Sequence, residues 1–206
     1  MAIGPEVIQN LMSRYQHKPR TPLAHIGLLM LLCWLPSLTF AQAQEVDPEL
    51  RKRLKSSIAT ADSFVDRFDA EVWLVAKSQV LKRYVKDPEK RLRILKAVHR
   101  EASRQKLPPE MVLAVIQIES HFDRFAISKV GAQGMMQVMP FWKKEIGRPQ
   151  DNLTKMDTNL RYGCTILRHY LDREKGRWPE ALARYNGSYG SYRYSRKVLN
   201  AWDQWR

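Results

Sequence analysis

The chain is expected to fold as a mainly α domain with a cleft formed by loops. Apolar residues recur at helical spacing along most of it, proline and Asn-Gly signals punctuate those stretches, and strand-like alternation is confined to brief segments around the glycines. At 206 residues and 44% hydrophobic residues the chain can build a core, which excludes a disordered polymer.

The first 43 residues read as an export signal. Arg14, Lys18 and Arg20 precede an uncharged apolar stretch from Ile26 to Phe40, and Ala41-Gln42-Ala43 has the small-x-small pattern of a cleavage site. The stretch is 15 residues long, short of the roughly 20 that span a membrane. Met12 is an alternative start, and an uncleaved anchor is the competing reading. Lipidation at Cys33 is disfavoured, because Leu31 and Leu32 stand where a small residue is wanted. A periplasmic location follows, with membrane tethering the lesser alternative.

Residues 44–206 keep 32 basic and 20 acidic residues, a net charge of +12, against +14 for the whole chain. That balance calls for an anionic partner: nucleic acid, or an acidic cell-wall polymer. Export favours the polymer and argues against nucleic acid. Cys164 is then the lone cysteine, fit for a small buried hydrophobe and not for an intramolecular disulfide.

The elements follow in order. Glu49 to Ile58 is a short charged helix, and Ser63 to Val85 carries Phe64, Phe68, Trp73, Val80, Leu81 and Tyr84 at roughly helical spacing. Asp87-Pro88 opens a helix whose stripe is Leu92, Leu95 and Val98, broadened by Ile94 and Ala102. Leu107-Pro108-Pro109 ends it and starts another that runs to near Phe122. Pro140 to Ile146 is a short helix, and Asp157 to Arg173 is amphipathic through Leu160, Cys164, Leu167 and Leu171. Pro179 to Tyr185 stops at Asn186-Gly187, and Ser195 to Trp205 closes the chain.

Glu119 is the residue most out of place. Ile116, Val115 and Val112 lie three, four and seven residues before it, so its carboxylate falls on an apolar stripe in the last helical turn. Apolar burial and the negative helix end both disfavour the anion and raise the pKa. Such an acid can still carry a proton near neutral pH and give it to a leaving oxygen. A sideways salt bridge with Lys or Arg is the equally weighted alternative.

Other candidates carry two readings each. Ser120 can fix the turn or serve the site. Gly131 and Gly134 permit a tight backbone, but no Lys-Ser/Thr follows, so a phosphate loop fails. Met135, Met136 and Met139 suit core packing or an adaptable apolar wall, and Gln137 could orient a sugar hydroxyl or amide. The tract from Ser188 to Tyr194 alternates tyrosines with small residues, which suits a sugar-binding rim, base stacking, or a loop packed by its own rings. His121 has no partner at metal-ligand spacing, and Cys164 has no neighbouring base, so no metal centre or thiol nucleophile is read.

Taken together, these segments resemble the SLT-type lytic transglycosylases, exported bacterial enzymes that cut peptidoglycan. Glu119-Ser120 resembles the family's Glu-Ser motif. Ser128 and the run from Gly131 to Pro140 resemble its second motif, where Leu is commoner than Met135. Asn159 and Gly163 fit the helix that follows, and Ala181 to Gly187 resembles the last motif. The resemblance covers roughly Leu92 to Trp202. The family usually continues Tyr-Asn-Ala-Gly-Pro-Gly, whereas Tyr185-Asn186 here runs into Gly187-Ser188-Tyr189-Gly190, which alters the cleft rim.

The resemblance implies a lysozyme-like domain over residues 92–206, preceded by a helical extension over residues 44–91. It implies cleavage of the β-1,4 bond between N-acetylmuramic acid and N-acetylglucosamine, with 1,6-anhydromuramoyl ends and no cofactor. Glu119 would act as acid and then base, helped by the substrate's N-acetyl group. Ser120, Ser128, Met135, Gln137, Met139, Tyr185 and Asn186 would hold the sugars, and Asp123 would be structural. The partner would be the glycan strand, with a cell-wall or secretion-system assembly allowed and oligomeric state unspecified. A goose-type muramidase and a non-catalytic wall-binding protein are the alternatives.

Overall fold

The computed structural model describes residues 67–206. The export segment, Cys33 and the helix expected over Glu49 to Ile58 lie outside the described residues. The described chain is helical apart from loops and two isolated antiparallel bridges, Ile127 with Gln133 and Gln133 with Val138. Those bridges fall in the glycine-rich segment where brief strand character is expected.

The helices are α1 (Arg67–Leu81), α2 (Pro88–Arg104), α3 (Pro109–Ser120), α4 (Trp142–Ile146), α5 (Met156–Arg173), α6 (Trp178–Tyr185) and α7 (Arg193–Trp205). None is long and apolar enough to cross a membrane. α1 stops four residues short of Val85, in a turn that Arg91 holds from α2. Arg91 donates to Ser78 Oγ (3.0 Å) and to the carbonyls of Val85 (3.0 Å) and Lys86 (2.7 Å). α2 begins at Asp87, whose carboxylate accepts from the amides of Glu89 (2.9 Å) and Lys90 (3.3 Å), with Pro88 at the first helical position. α7 starts two residues before Ser195, so Arg193 and Tyr194 belong to the helix.

α3 is the axis of the domain. Met111 through Ile116 are fully buried, so this helix is apolar all round and not merely along one stripe. α7 and α2 pack against it, α5 packs on α2, and α6 bridges α5 and α7. Polar side chains fix the crossing of α1, α3 and α7. Trp73 donates to Glu110 (2.6 Å), Trp205 donates to Gln117 (2.7 Å), and the Lys77 ammonium donates to the final carbonyls, Trp205 and Arg206, while lying 3.5 Å from Glu110. Cations suit a helix C-terminus because the carbonyls there have no partners in the helix.

α5 and the glycine-rich segment approach closely at Gly163. A β-carbon there would meet the Cβ, sulfur and methyl of Met136. Gly163→Ala gains about 1 kcal/mol of helix propensity but overpacks the contact, at about 1–3 kcal/mol. The variant is expected to unfold at lower urea than the unmutated chain. A higher midpoint would show that Met136 moves aside at no cost.

Candidate active site

Ser120 ends α3, and His121 and Phe122 take left-handed conformations (φ 51° and 68°) that turn the chain sharply into the glycine-rich segment. Residues 123–140 then fold back beside the helix end. Ser128 N donates to the Ala132 carbonyl (2.9 Å), Gly134 N to Ala126 (2.9 Å), and Gln133 and Val138 exchange backbone bonds of 3.0 and 2.9 Å. Gly134 has φ +74°, and a β-carbon there would run into Asn159 and the Leu153 carbonyl, so conformation and space both require glycine.

The segment is gripped at the two consecutive peptides on either side of Met136. Ser120 Oγ donates to the Met135 carbonyl (2.8 Å), Asn159 Oδ1 accepts from Met136 N (2.8 Å), and Tyr185 Oη donates to the Met136 carbonyl (2.7 Å). The Asn159 amide donates to the carbonyls of Gln133 and Leu153, both at 2.8 Å. Four separate sequence motifs meet there.

Glu119 is half-buried above this knot and makes no ion pair among the described residues. Its partner is Tyr194, whose hydroxyl donates to Glu119 Oε1 at 2.6 Å. Burial pushes the carboxyl from an ordinary 4.5 up to about 7, and the hydrogen bond from Tyr194 pulls the other way. Burial, together with the nearby Glu119 charge, raises Tyr185 and Tyr194 well above the usual phenol range, so both stay protonated donors.

Glu119 opens into a cavity of about 400 Å³ lined also by Ile118, Asn186, Ser188, Ser191, Arg193, Tyr194 and Lys197. Among the described residues Glu119 is the one acid lining it. Asp123 lies in a different cavity, and its carboxylate accepts from Phe125 N (2.9 Å) to close a turn. No three His, Cys, Asp or Glu side chains among the described residues are grouped to hold a metal.

Of the expected site residues, the cavity brings together Glu119 and Asn186. Ser120 bonds the Met135 carbonyl and Tyr185 the Met136 carbonyl. Ser128 Oγ accepts from Ala132 N (3.0 Å), and the Gln137 amide donates to the carbonyls of Ala126 (3.1 Å) and Gly134 (2.9 Å). Met135 is in the core at 1% exposure, whereas Met139 is half-buried. Ser191, Arg193 and Tyr194 fall in the tract read as one possible sugar-binding rim but were given no individual role, and Lys197 was not singled out. The one available signal was the unusual tyrosine tract ahead of the last helix.

The Transglycosylase SLT domain family matches residues 96–202, about half of the chain. The chain belongs to this family. Over 107 residues it is 33% identical to a membrane-bound lytic murein transglycosylase F of Desulfosudis oleivorans, covering 49% of this chain and 23% of that protein. Over 81 residues it is 38% identical to a transglycosylase of Enterobacteria phage PRD1, covering 39% of this chain and 29% of that one. The chain thus spans about a quarter of the length of these relatives. A crystal structure of the lytic transglycosylase Slt from Pseudomonas aeruginosa aligns over 78% of this chain and 37% of that one, at 21% identity and a TM-score of 0.48.

The site generates two predictions. A raised glutamate pKa means the folded chain holds its proton longer than the unfolded one. The resulting stability is full below pH 4.5, declines above it, and is lost above about 7. Glu119→Gln cannot ionise, so it should match the unmutated chain near pH 4 and be more stable at pH 8 by roughly 2–3 kcal/mol. Denaturant titrations at the two pH values check this, and an equal difference at both would refute it. Tyr194→Phe removes the bond that favours the anion, so the Glu119 carboxyl should titrate above about 7, read by carbon NMR of labelled glutamate.

Proposed function

We propose that the chain is a lytic transglycosylase acting on the peptidoglycan glycan strand in the periplasm, with residues 92–206 as the catalytic domain. The observation that carries this reading is the lone half-buried carboxyl in a polar cavity, held by a tyrosine hydroxyl and titrating near neutrality. Family membership supports the same chemistry.

The protonated Glu119 gives its proton to the glycosidic oxygen as the bond from the muramoyl C1 to that oxygen breaks. The substrate's acetamido group helps carry the positive charge that develops at C1. Glu119, now a carboxylate, takes the proton from the muramoyl O6 hydroxyl, and O6 bonds to C1. Water is neither consumed nor released, and Glu119 ends as it began.

A glycosidase of the usual kind needs a second carboxylate across the bond, as nucleophile or to activate water. The cavity offers none among the described residues, which favours the internal O6 nucleophile. Tyr194 fits both steps: it accommodates the neutral acid and stabilises the anion that must exist between them. A pKa near 7 leaves both forms accessible.

Digestion of purified peptidoglycan followed by mass spectrometry tests the reading. Anhydro-muropeptides are expected, and Glu119→Gln should lower their release by about 10²–10⁴-fold. Reducing ends formed by added water would instead identify a muramidase. Undiminished release by Glu119→Gln would remove Glu119 from the mechanism.

A further inference from the structure

We propose that Arg193 and Lys197 form a carboxylate-recognising subsite beside Glu119, so that the chain selects glycan whose peptide branches carry free carboxylates. This deepens the transglycosylase reading and rests on it.

Arg193 and Lys197 stand four apart at the start of α7 and share a helix face. Both line the cavity that holds Glu119. Neither pairs with an acid among the described residues, although Arg100, Arg148, Arg177 and Arg206 each do. The two cations are not there to neutralise Glu119 either. Burial raises the pKa of that carboxyl and Tyr194 lowers it, with no part played by Arg193 or Lys197. They share its cavity and leave it uncompensated.

The surrounding groups favour an anion as well. α7 has no side-chain cap at its N-terminus, so its first amides and the positive end of its dipole lie beside the two cations. Ser188 lines the same cavity, and its buried hydroxyl has no protein partner. Ser188 to Ser191 belong to the tract that departs from the family's usual continuation. Arg184 stacks on the Tyr189 ring at 3.7 Å and fixes that tract from behind.

Sugar hydroxyls and acetamido groups bring no charge for two cations to meet. Carboxylates on the glycan strand come from its stem peptides, and a guanidinium matches them in charge and geometry.

The full chain tests this on three substrates: glycan strands with intact stem peptides, the same strands stripped of peptide by an amidase with the lactyl carboxylates so exposed converted to amides, and strands whose stem-peptide carboxylates have been converted to amides. kcat/KM on intact strands should exceed that on either of the others by about tenfold, the scale of a charge-assisted contact. The double variant Arg193→Gln/Lys197→Gln should bring that ratio close to one, and Arg193→Lys alone should keep most of it. A ratio near one for the unmutated chain, or an unchanged ratio in the double variant, would overturn the subsite.

Co-sedimentation of the Glu119→Gln chain with the three strands separates this from the catalytic reading. Preferential binding of intact strands by Glu119→Gln, with no strand cut by the unmutated chain, would support the subsite and refute the transglycosylase. Failure of Glu119→Gln to bind any strand, together with failure of the unmutated chain to cut any, would refute both.

Discussion

The two peptide units on either side of Met136 are where this site is assembled. Their backbone groups at Met135 and Met136 lie where water cannot serve them, so each must find a partner within the protein. Ser120 from α3, Asn159 from α5 and Tyr185 from α6 supply those partners. Because the three come from different helices, the loop cannot take this path unless the helices have already crossed correctly. The same bonds fix the end of α3 and hence the height of Glu119. Residues that look like substrate ligands in the sequence therefore determine the geometry from one step behind the cavity.

Glu119 sits where two opposed forces nearly balance. Burial in the apolar end of α3 favours the protonated form, and the 2.6 Å hydrogen bond from Tyr194 favours the anion. A fully apolar pocket would lock the proton on, and a salt bridge would lock it off. A neutral phenolic donor does neither, since it carries no charge and its own ionisation is suppressed by the same burial. This is what the proposed mechanism, in which one acid becomes a base within a turnover, requires.

Much of this was legible in the chain. Helix positions followed from apolar spacing and from Pro88, Pro109 and Asn186-Gly187, and Glu119 stood out because a charge on an apolar helix is expensive. Ser120 was read as either a backbone partner or a site residue, and the partners of Ser120, Ser128 and Gln137 were not legible. Each has a backbone group as partner, and a backbone group leaves no mark in the sequence. Tyr194 was missed for a related reason. Its bond to Glu119 spans 75 residues and depends on α7 lying against α3. The sequence also placed the start of α7 two residues late, which left Arg193 and Tyr194 in a loop and hid their shared face with Lys197.

The charge layout of the cavity follows from the same balance. A cation touching Glu119 would hold it ionised and cost it the proton it gives up in the proposed mechanism, because a nearby opposite charge lowers a carboxyl pKa by about 1–3 units. Any basic residues in this cavity must therefore stand off from the carboxyl. Arg193 and Lys197 meet that constraint: they line the space that Glu119 lines and leave its pKa near 7. In the proposed reading, proton donation and anion binding fall to different parts of one cavity. Tyr194, between the two cations in sequence and bonded to the acid, is the residue through which a single helix serves both.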